Sequence, residues 1–212
     1  MSDKGASRIP STHIILWSHV RSRSTVFALA IASDKNIHVM NEPFVLAYRV
    51  GEERRCAERF IKGPPLPGHK YIDVQRELER LYSDERVVFV KDFPNALGGR
   101  DYYRYIPKEY INSFLVRHPK ASVLSAFRCI KAMFPTVDDQ EMLVDLCIEI
   151  GEMVAIYKLY KYVTEELGHR PIVVDSQDLV NAPRETLEKY CEATGLPFNE
   201  SFLNWEPGNI QL

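Results

Sequence analysis

A chain of 212 residues, with 45% hydrophobic side chains and a formal net charge of −2, is long enough to bury one substantial core, which predicts a single domain over residues 1–212. The near-neutral charge argues against generic nucleic-acid binding, which relies on wide cationic surfaces. No apolar run reaches the roughly 20 residues that a membrane-spanning helix needs.

The opening Met1 to Arg8 is polar and lacks a signal-peptide core, and residues 1–12 are expected to be flexible. Ile14-Ile15-Leu16-Trp17 follows, apolar on both faces as in a buried strand of a parallel sheet. Val26, Phe27, Leu29, Ala30 and Ile31 then recur at helical spacing. Between the two, Ser18 to Thr25 would present backbone N–H groups and hydroxyls at a helix N-terminus, where the macrodipole adds about half a positive charge. An anion belongs there. The nucleotide loop G-x-x-x-x-G-K-[ST] is not met, because the segment has no glycine and no Lys before Ser24 or Thr25. Arg21 and Arg23 supply charge instead, as guanidinium forks that suit phosphate and sulfate oxygens.

A second apolar run, Ile37 to Met40, leads into Asn41-Glu42-Pro43-Phe44. Gly63-Pro-Pro-Leu-Pro-Gly68 reads as a connecting loop between helical segments. Val87 to Val90 is a third strand, followed by Lys91-Asp92-Phe93-Pro94. Phe114 to Val116 is a fourth, ending at Arg117-His118-Pro119, after which Val123, Leu124, Ala126 and Phe127 mark a helix whose first turn suits Pro119. The grammar of the first stretch is thus repeated: Arg117 at a strand end and Ser125 about two helical turns on form a second phosphate grip. From Asp138 to Leu167, Leu143, Leu146, Ile150, Val154, Tyr157 and Tyr160 stand at steps of three and four, predicting an amphipathic helix with that face in the core. Ile172 to Val174 is the last strand, and Pro183 to Thr194 the last helix, with Gly195 just past its end and Pro197 preventing continuation. Cys56, Cys129, Cys147 and Cys191 form no CxxC pair, so reduced thiols and a cytoplasmic location are expected. Strands alternating with helices predict an α/β fold, a parallel sheet flanked by crossover helices. Such sheets bind ligands beyond their strand C-terminal ends, where Ser18, Glu42, Lys91 and Arg117 all fall.

The two grips, with their order and separation, resemble the sulfotransferase superfamily, which has a P-loop NTPase-like fold and takes 3'-phosphoadenosine 5'-phosphosulfate (PAPS) as sulfuryl donor. The family's Pro-[Lys/Arg]-Ser-Gly-[Ser/Thr]-Thr loop for the 5'-phosphosulfate is matched by Val20-Arg21-Ser22-Arg23-Ser24-Thr25. Its Arg-x-Pro turn with a Ser eight residues after the Arg, which holds the 3'-phosphate, is matched by Arg117, Pro119 and Ser125. Asn41-Glu42-Pro43-Phe44 is similar to the Lys-Glu-Pro-x-Phe-Phe string of heparan-type members, which implies Glu42 as the base. Lys91 and Arg21 would stabilise the sulfuryl group and the bridging oxygen. The His that many members carry after the third strand is missing from Val90-Lys91-Asp92-Phe93-Pro94, and Asp92 stays open as an alternative base. His19 and His118 flank the loops and are left outside the catalytic set.

The chain departs from the family elsewhere too. Val20 replaces a Pro, and Arg23 replaces a Gly, so the loop cannot rely on a glycine's positive φ. Ser176-Gln177-Asp178 replaces a Tyr-Glu-Asp-like string that helps hold the adenine, and the chain stops soon after Trp205 to Gly208, where relatives continue over the nucleotide or acceptor. The resemblance implies sulfuryl transfer from PAPS to a hydroxyl or amine of a small-molecule acceptor, with no metal and no nucleic-acid partner. A phosphate- or nucleotide-binding protein of the same fold, without transferase activity, is the alternative.

Overall fold

The computed structural model describes residues 11–56, 63–84, 86–133, 135–136, 138 and 151–204. Five strands form one sheet: β1 (Thr12–Ser18), β2 (His38–Asn41), β3 (Val87–Asp92), β4 (Ile111–Val116) and β5 (Ile172–Asp175). Their order is β2-β3-β1-β4-β5 and every pairing is parallel. The helices are α1 (Ser24–Ala32), α2 (Pro43–Arg49), α3 (Tyr71–Asp84), α4 (Pro119–Met133), α5 (residues 151–161, continued by a π-helical turn at Tyr162–Glu166), α6 (Asp178–Asn181) and α7 (Pro183–Thr194).

All seven residues of β1 are buried, because this central strand is flanked by β3 and β4 and covered on both faces. Alternation along it splits the core in two. Ile15 and Trp17 join Val88 and Val90 of β3 against α2, α3 and α5, while Ile14 and Leu16 join Phe89 against α1 and α7. Each covering helix supplies a stripe at steps of three and four: Tyr71, Val74, Leu78 and Leu81 on α3, and Leu187, Tyr190, Cys191 and Thr194 on α7. The polar side chains at this depth are bonded, as burial demands: Trp17 Nε1 donates to Asn112 Oδ1 at 2.7 Å, and Ser113 Oγ to the Ile15 carbonyl at 3.1 Å.

Helix α5 overturns one expectation. The face predicted for the core leaves Val154, Tyr157 and Tyr160 at 47%, 62% and 36% exposure, whereas Glu152, Ile156, Leu159 and Val163 are buried. Both sets have helical spacing, and packing against the sheet selects the second. Leu143, Leu146, Ile150, Cys147 and the segment Trp205 to Gly208 lie outside the described residues. The end of α7 follows its sequence signal, with Pro183 in the first turn and Gly195 left-handed at φ 72° just past Thr194.

Because all strands are parallel, their C-terminal ends share one edge of the sheet. β1 sits where the connections diverge, since the chain leaves it for β2 on one side and later crosses from β3 to β4 on the other. That divergence opens a crevice beyond its end. Among the described residues no helix is long and apolar enough to cross a membrane.

Candidate active site

The turn from β1 into α1 is tightly built. Ser18, His19, Ser22 and Ser24 are buried, while Arg21 and Thr25 reach the surface. Arg21 and Arg23 have φ values of 60° and 71°. A residue with a Cβ pays about 1–2 kcal/mol for that left-handed conformation. The loop has no glycine to supply positive φ, and two arginines adopt it instead. Three hydrogen bonds engage the loop backbone. Val20 N–H donates to Glu152 Oε2 at 2.9 Å, the Val20 carbonyl meets His19 Nδ1 at 3.0 Å, and the Arg21 carbonyl accepts from Arg117 Nη1 at 2.8 Å.

The two grips meet although they are 96 residues apart in sequence. Arg21 Nε donates to Ser125 Oγ at 3.1 Å, and Arg23 Nη1 to the Ser176 carbonyl at 2.8 Å. Arg23 thus braces the end of β5 rather than extending outward. Burial, with Arg23 and Arg21 nearby, lowers the pKa of Arg117. Among the described residues no carboxylate forms an ion pair with any of these three arginines. Arg117 Nε, Ser22 Oγ and Ser176 Oγ are buried without hydrogen-bond partners there. The first-turn amides of α1 have no preceding helical carbonyls to accept from them. Such a surface is made for an anion with several oxygens.

His19 couples the grips in a second way. The Arg117 backbone N–H donates to His19 Nε2 at 3.2 Å, so Nδ1 carries the proton shared with the Val20 carbonyl and the ring is neutral. Burial first, then the Arg117 charge, lowers its pKa, against the pull of that carbonyl.

On the other side of β1, Glu42 and Lys91 form an ion pair at the ends of β2 and β3. Glu42 precedes Pro43, the first residue of α2, in a left-handed conformation at φ 59°. Its N–H extends the sheet ladder by donating to the Lys91 carbonyl at 2.7 Å. The Lys91 side chain is 1% exposed against 27% for Glu42, and its Nζ lies 3.6 Å from the centre of the Phe93 ring. Burial lowers the pKa of Lys91, while Glu42 pulls it back up. Asp92, the alternative base, is fully buried and turned onto backbone: Oδ2 accepts from Phe44 N–H at 2.6 Å and Oδ1 from Phe93 N–H at 2.7 Å. It ties β3 to the start of α2, with no face left for an acceptor.

No protein-family model matches the chain. Among solved structures it is similar to the sulfotransferase domain from the Synechococcus PCC 7002 olefin synthase, with a TM-score of 0.62 at 19% identity, covering 96% of this chain and 80% of that one. The sulfotransferase from Alicyclobacillus acidocaldarius superposes with a TM-score of 0.60 at 11% identity over 92% of this chain and 87% of its own. The sulfotransferase domain from the curacin biosynthetic pathway gives 0.56 at 17% identity over 93% and 78%. The fold is that of a sulfotransferase domain.

By sequence, the chain is similar to two Arabidopsis thaliana proteins, branched-chain-amino-acid aminotransferase-like protein 2, at 25% identity over 202 residues, and protein 1, at 24% over 211 residues. Each match takes in 92% of this chain but only 32% of the plant protein's length. Within the sulfotransferase-like fold, the arginines, Ser125, Glu42 and Lys91 singled out from sequence fall along one sheet edge. Glu152, Asn95 and the carbonyl of Ser176 join them without having been singled out. A lone acid in an amphipathic helix carries no sequence signal, and a backbone carbonyl carries none at all.

Proposed function

We propose that the protein transfers a sulfuryl group from PAPS to a hydroxyl or amine of a small-molecule acceptor. The observation that carries the reading is the clustering of Arg21, Arg23 and Arg117, none ion-paired to a carboxylate among the described residues, at the same C-terminal sheet edge as the Glu42–Lys91 pair. The residues fit such a donor, because the cluster brings three guanidiniums and orphaned buried polar atoms at Ser22, Ser176 and Arg117 to a helix N-terminus. Arg21, Ser22, Arg23, Ser24 and Thr25 hold the 5'-phosphosulfate in this reading, and Arg117 with Ser125 the 3'-phosphate.

When bound, the donor supplies an activated sulfuryl group and departs as adenosine 3',5'-bisphosphate with growing negative charge. Stabilising that charge by fixed cations is the main catalytic lever in the related phosphoryl transfers. In this reading Arg21 and Lys91 are those cations. Glu42, partly exposed beside Lys91, takes the acceptor proton on its carboxylate in this reading. Phe93 packs its ring on the Lys91 ammonium. The aminotransferase-like names belong to whole proteins about two-thirds of whose length lies outside the match, and the residues gathered here support the sulfuryl-transfer reading.

The test is thermal unfolding with adenosine 3',5'-bisphosphate, with ATP and with no ligand. At 100 times its dissociation constant the bisphosphate stabilises the fold by about 2.7 kcal/mol, a rise of roughly 5–10 °C for a chain of this size. The rise is absent in Arg117→Ala and smaller with ATP. An equal rise with ATP, or none with either, overturns the donor assignment. A bisphosphate-specific rise with no acceptor-dependent turnover reduces the protein to a nucleotide-binding member of the fold.

A further inference from the structure

Glu152 belongs to none of the roles assigned so far, yet its side chain is the one carboxylate on the buried stripe of α5, among Ile156, Leu159 and Val163. It is 8% exposed. A carboxylate in that position is costly to desolvate, and an apolar side chain would pack on the same stripe without the penalty. Burial accordingly raises its pKa, opposed by its hydrogen bonds to Val20 and Asn95. Each of its oxygens is committed to a different half of the site. Oε2 accepts the backbone N–H of Val20 at 2.9 Å, and Oε1 accepts from Asn95 Nδ2 at 2.7 Å.

These two partners are informative. Val20 immediately precedes Arg21 and lies three residues before Arg23, the two positions with left-handed backbone. Its carbonyl is held by His19, so both polar groups of this residue are fixed from outside the loop's own helix. Asn95 stands in the 3₁₀ turn Pro94–Leu97 that follows Lys91, Asp92 and Phe93. One side chain from α5 therefore spans from the arginine loop to the segment that carries the buried lysine.

We infer that Glu152 is a positioning residue which, by accepting the Val20 amide and the Asn95 side chain together, holds the arginine loop in its strained shape and in register with the Lys91 segment. The inference deepens the sulfotransferase reading and rests on it for the ligand used below. The role is that of a hydrogen-bond acceptor. A glutamine fills it by accepting Val20 N–H with its carbonyl oxygen and donating its amide to the Asn95 oxygen once the Asn95 amide turns over.

The experiment compares wild type, Glu152→Gln, Glu152→Ala and Asn95→Ala by calorimetric titration with adenosine 3',5'-bisphosphate and by hydrogen exchange at the Val20 amide without ligand. Glu152→Ala weakens binding at least tenfold and speeds Val20 exchange at least tenfold. Glu152→Gln stays within about threefold of wild type on both. Asn95→Ala, which removes only the second tether and serves if Glu152→Ala does not fold, weakens binding by a smaller factor with Val20 exchange still slow. Wild-type affinity in Glu152→Ala, or, should that variant not fold, in Asn95→Ala, overturns the inference, and so does a Glu152→Gln variant as impaired as Glu152→Ala. If wild type does not bind the bisphosphate, the functional reading falls, while the Val20 exchange rates still decide whether Glu152 holds the loop.

Discussion

At the scale of single residues, the division of labour between adjacent carboxylates is set by what each one touches. Glu42 is partly exposed and paired with a buried ammonium, whereas Asp92 is sealed and bonded to two backbone amides. If Glu42 is the base, as proposed, Glu42→Gln lowers acceptor-dependent turnover by about 10²- to 10⁴-fold while bisphosphate binding persists, as steady-state rates and titration together will show. Asp92 gives a different signature. Burial raises its pKa to about 7, above the value of about 4 in an unfolded chain. The folded protein therefore binds this proton more tightly, and the group's contribution to stability is greatest below about pH 4 and is lost as the pH rises through about 7. Asp92→Asn leaves one backbone N–H facing an amide donor, lowering stability by about 1–3 kcal/mol. It also removes the decline in melting temperature that Asp92 contributes between those pH values. A variant whose pH profile keeps the wild-type slope would mean that Asp92 is not the titrating group.

At the scale of elements, the turn between β1 and α1 shows both the reach and the limit of reading a sequence. The strand, the hydroxyl-rich turn and the helix are legible because hydrophobic period and polarity change together at Ser18 and Val26. The same is true of Arg117, Pro119 and Ser125. The backbone conformation is not legible, since arginine has no preference for positive φ and its adoption at Arg21 and Arg23 comes from distant partners at Glu152, Ser125, Arg117 and Ser176. Helix α5 fails for a related reason, because two interleaved stripes share its period and only packing on the sheet chooses between them. The strain in the turn is measurable. Arg23→Gly and Arg23→Ala both remove the guanidinium and its bond to Ser176, but only glycine relaxes the left-handed backbone. The glycine variant melts above the alanine variant by about 2–4 °C, the equivalent of about 1 kcal/mol in a chain of this length. Equal melting temperatures would place the strain elsewhere.

At the scale of the whole molecule, the parallel sheet concentrates charge of one sign at one place. Parallel pairing carries the ends of β1, β4 and β5 to the same edge. Arg21, Arg23 and Arg117 meet there with serine hydroxyls and carbonyls for company but with no paired carboxylate among the described residues. The net charge of −2 thus conceals a local cationic centre, and like charges held this close favour any anion that enters. Sulfate strengthens burial in most proteins by exclusion from their surface, so a rise in melting temperature with sulfate is not by itself diagnostic. The difference between wild type and Arg117→Ala isolates the specific part. At matched ionic strength, replacing chloride by sulfate raises the wild-type melting temperature by more than that of Arg117→Ala. The excess shrinks as added sodium chloride screens the guanidiniums, least for charges shielded from solvent. If both proteins gain equally, the three arginines do not act as an anion site, and their meeting at the sheet edge serves only to brace the loop against β4 and β5.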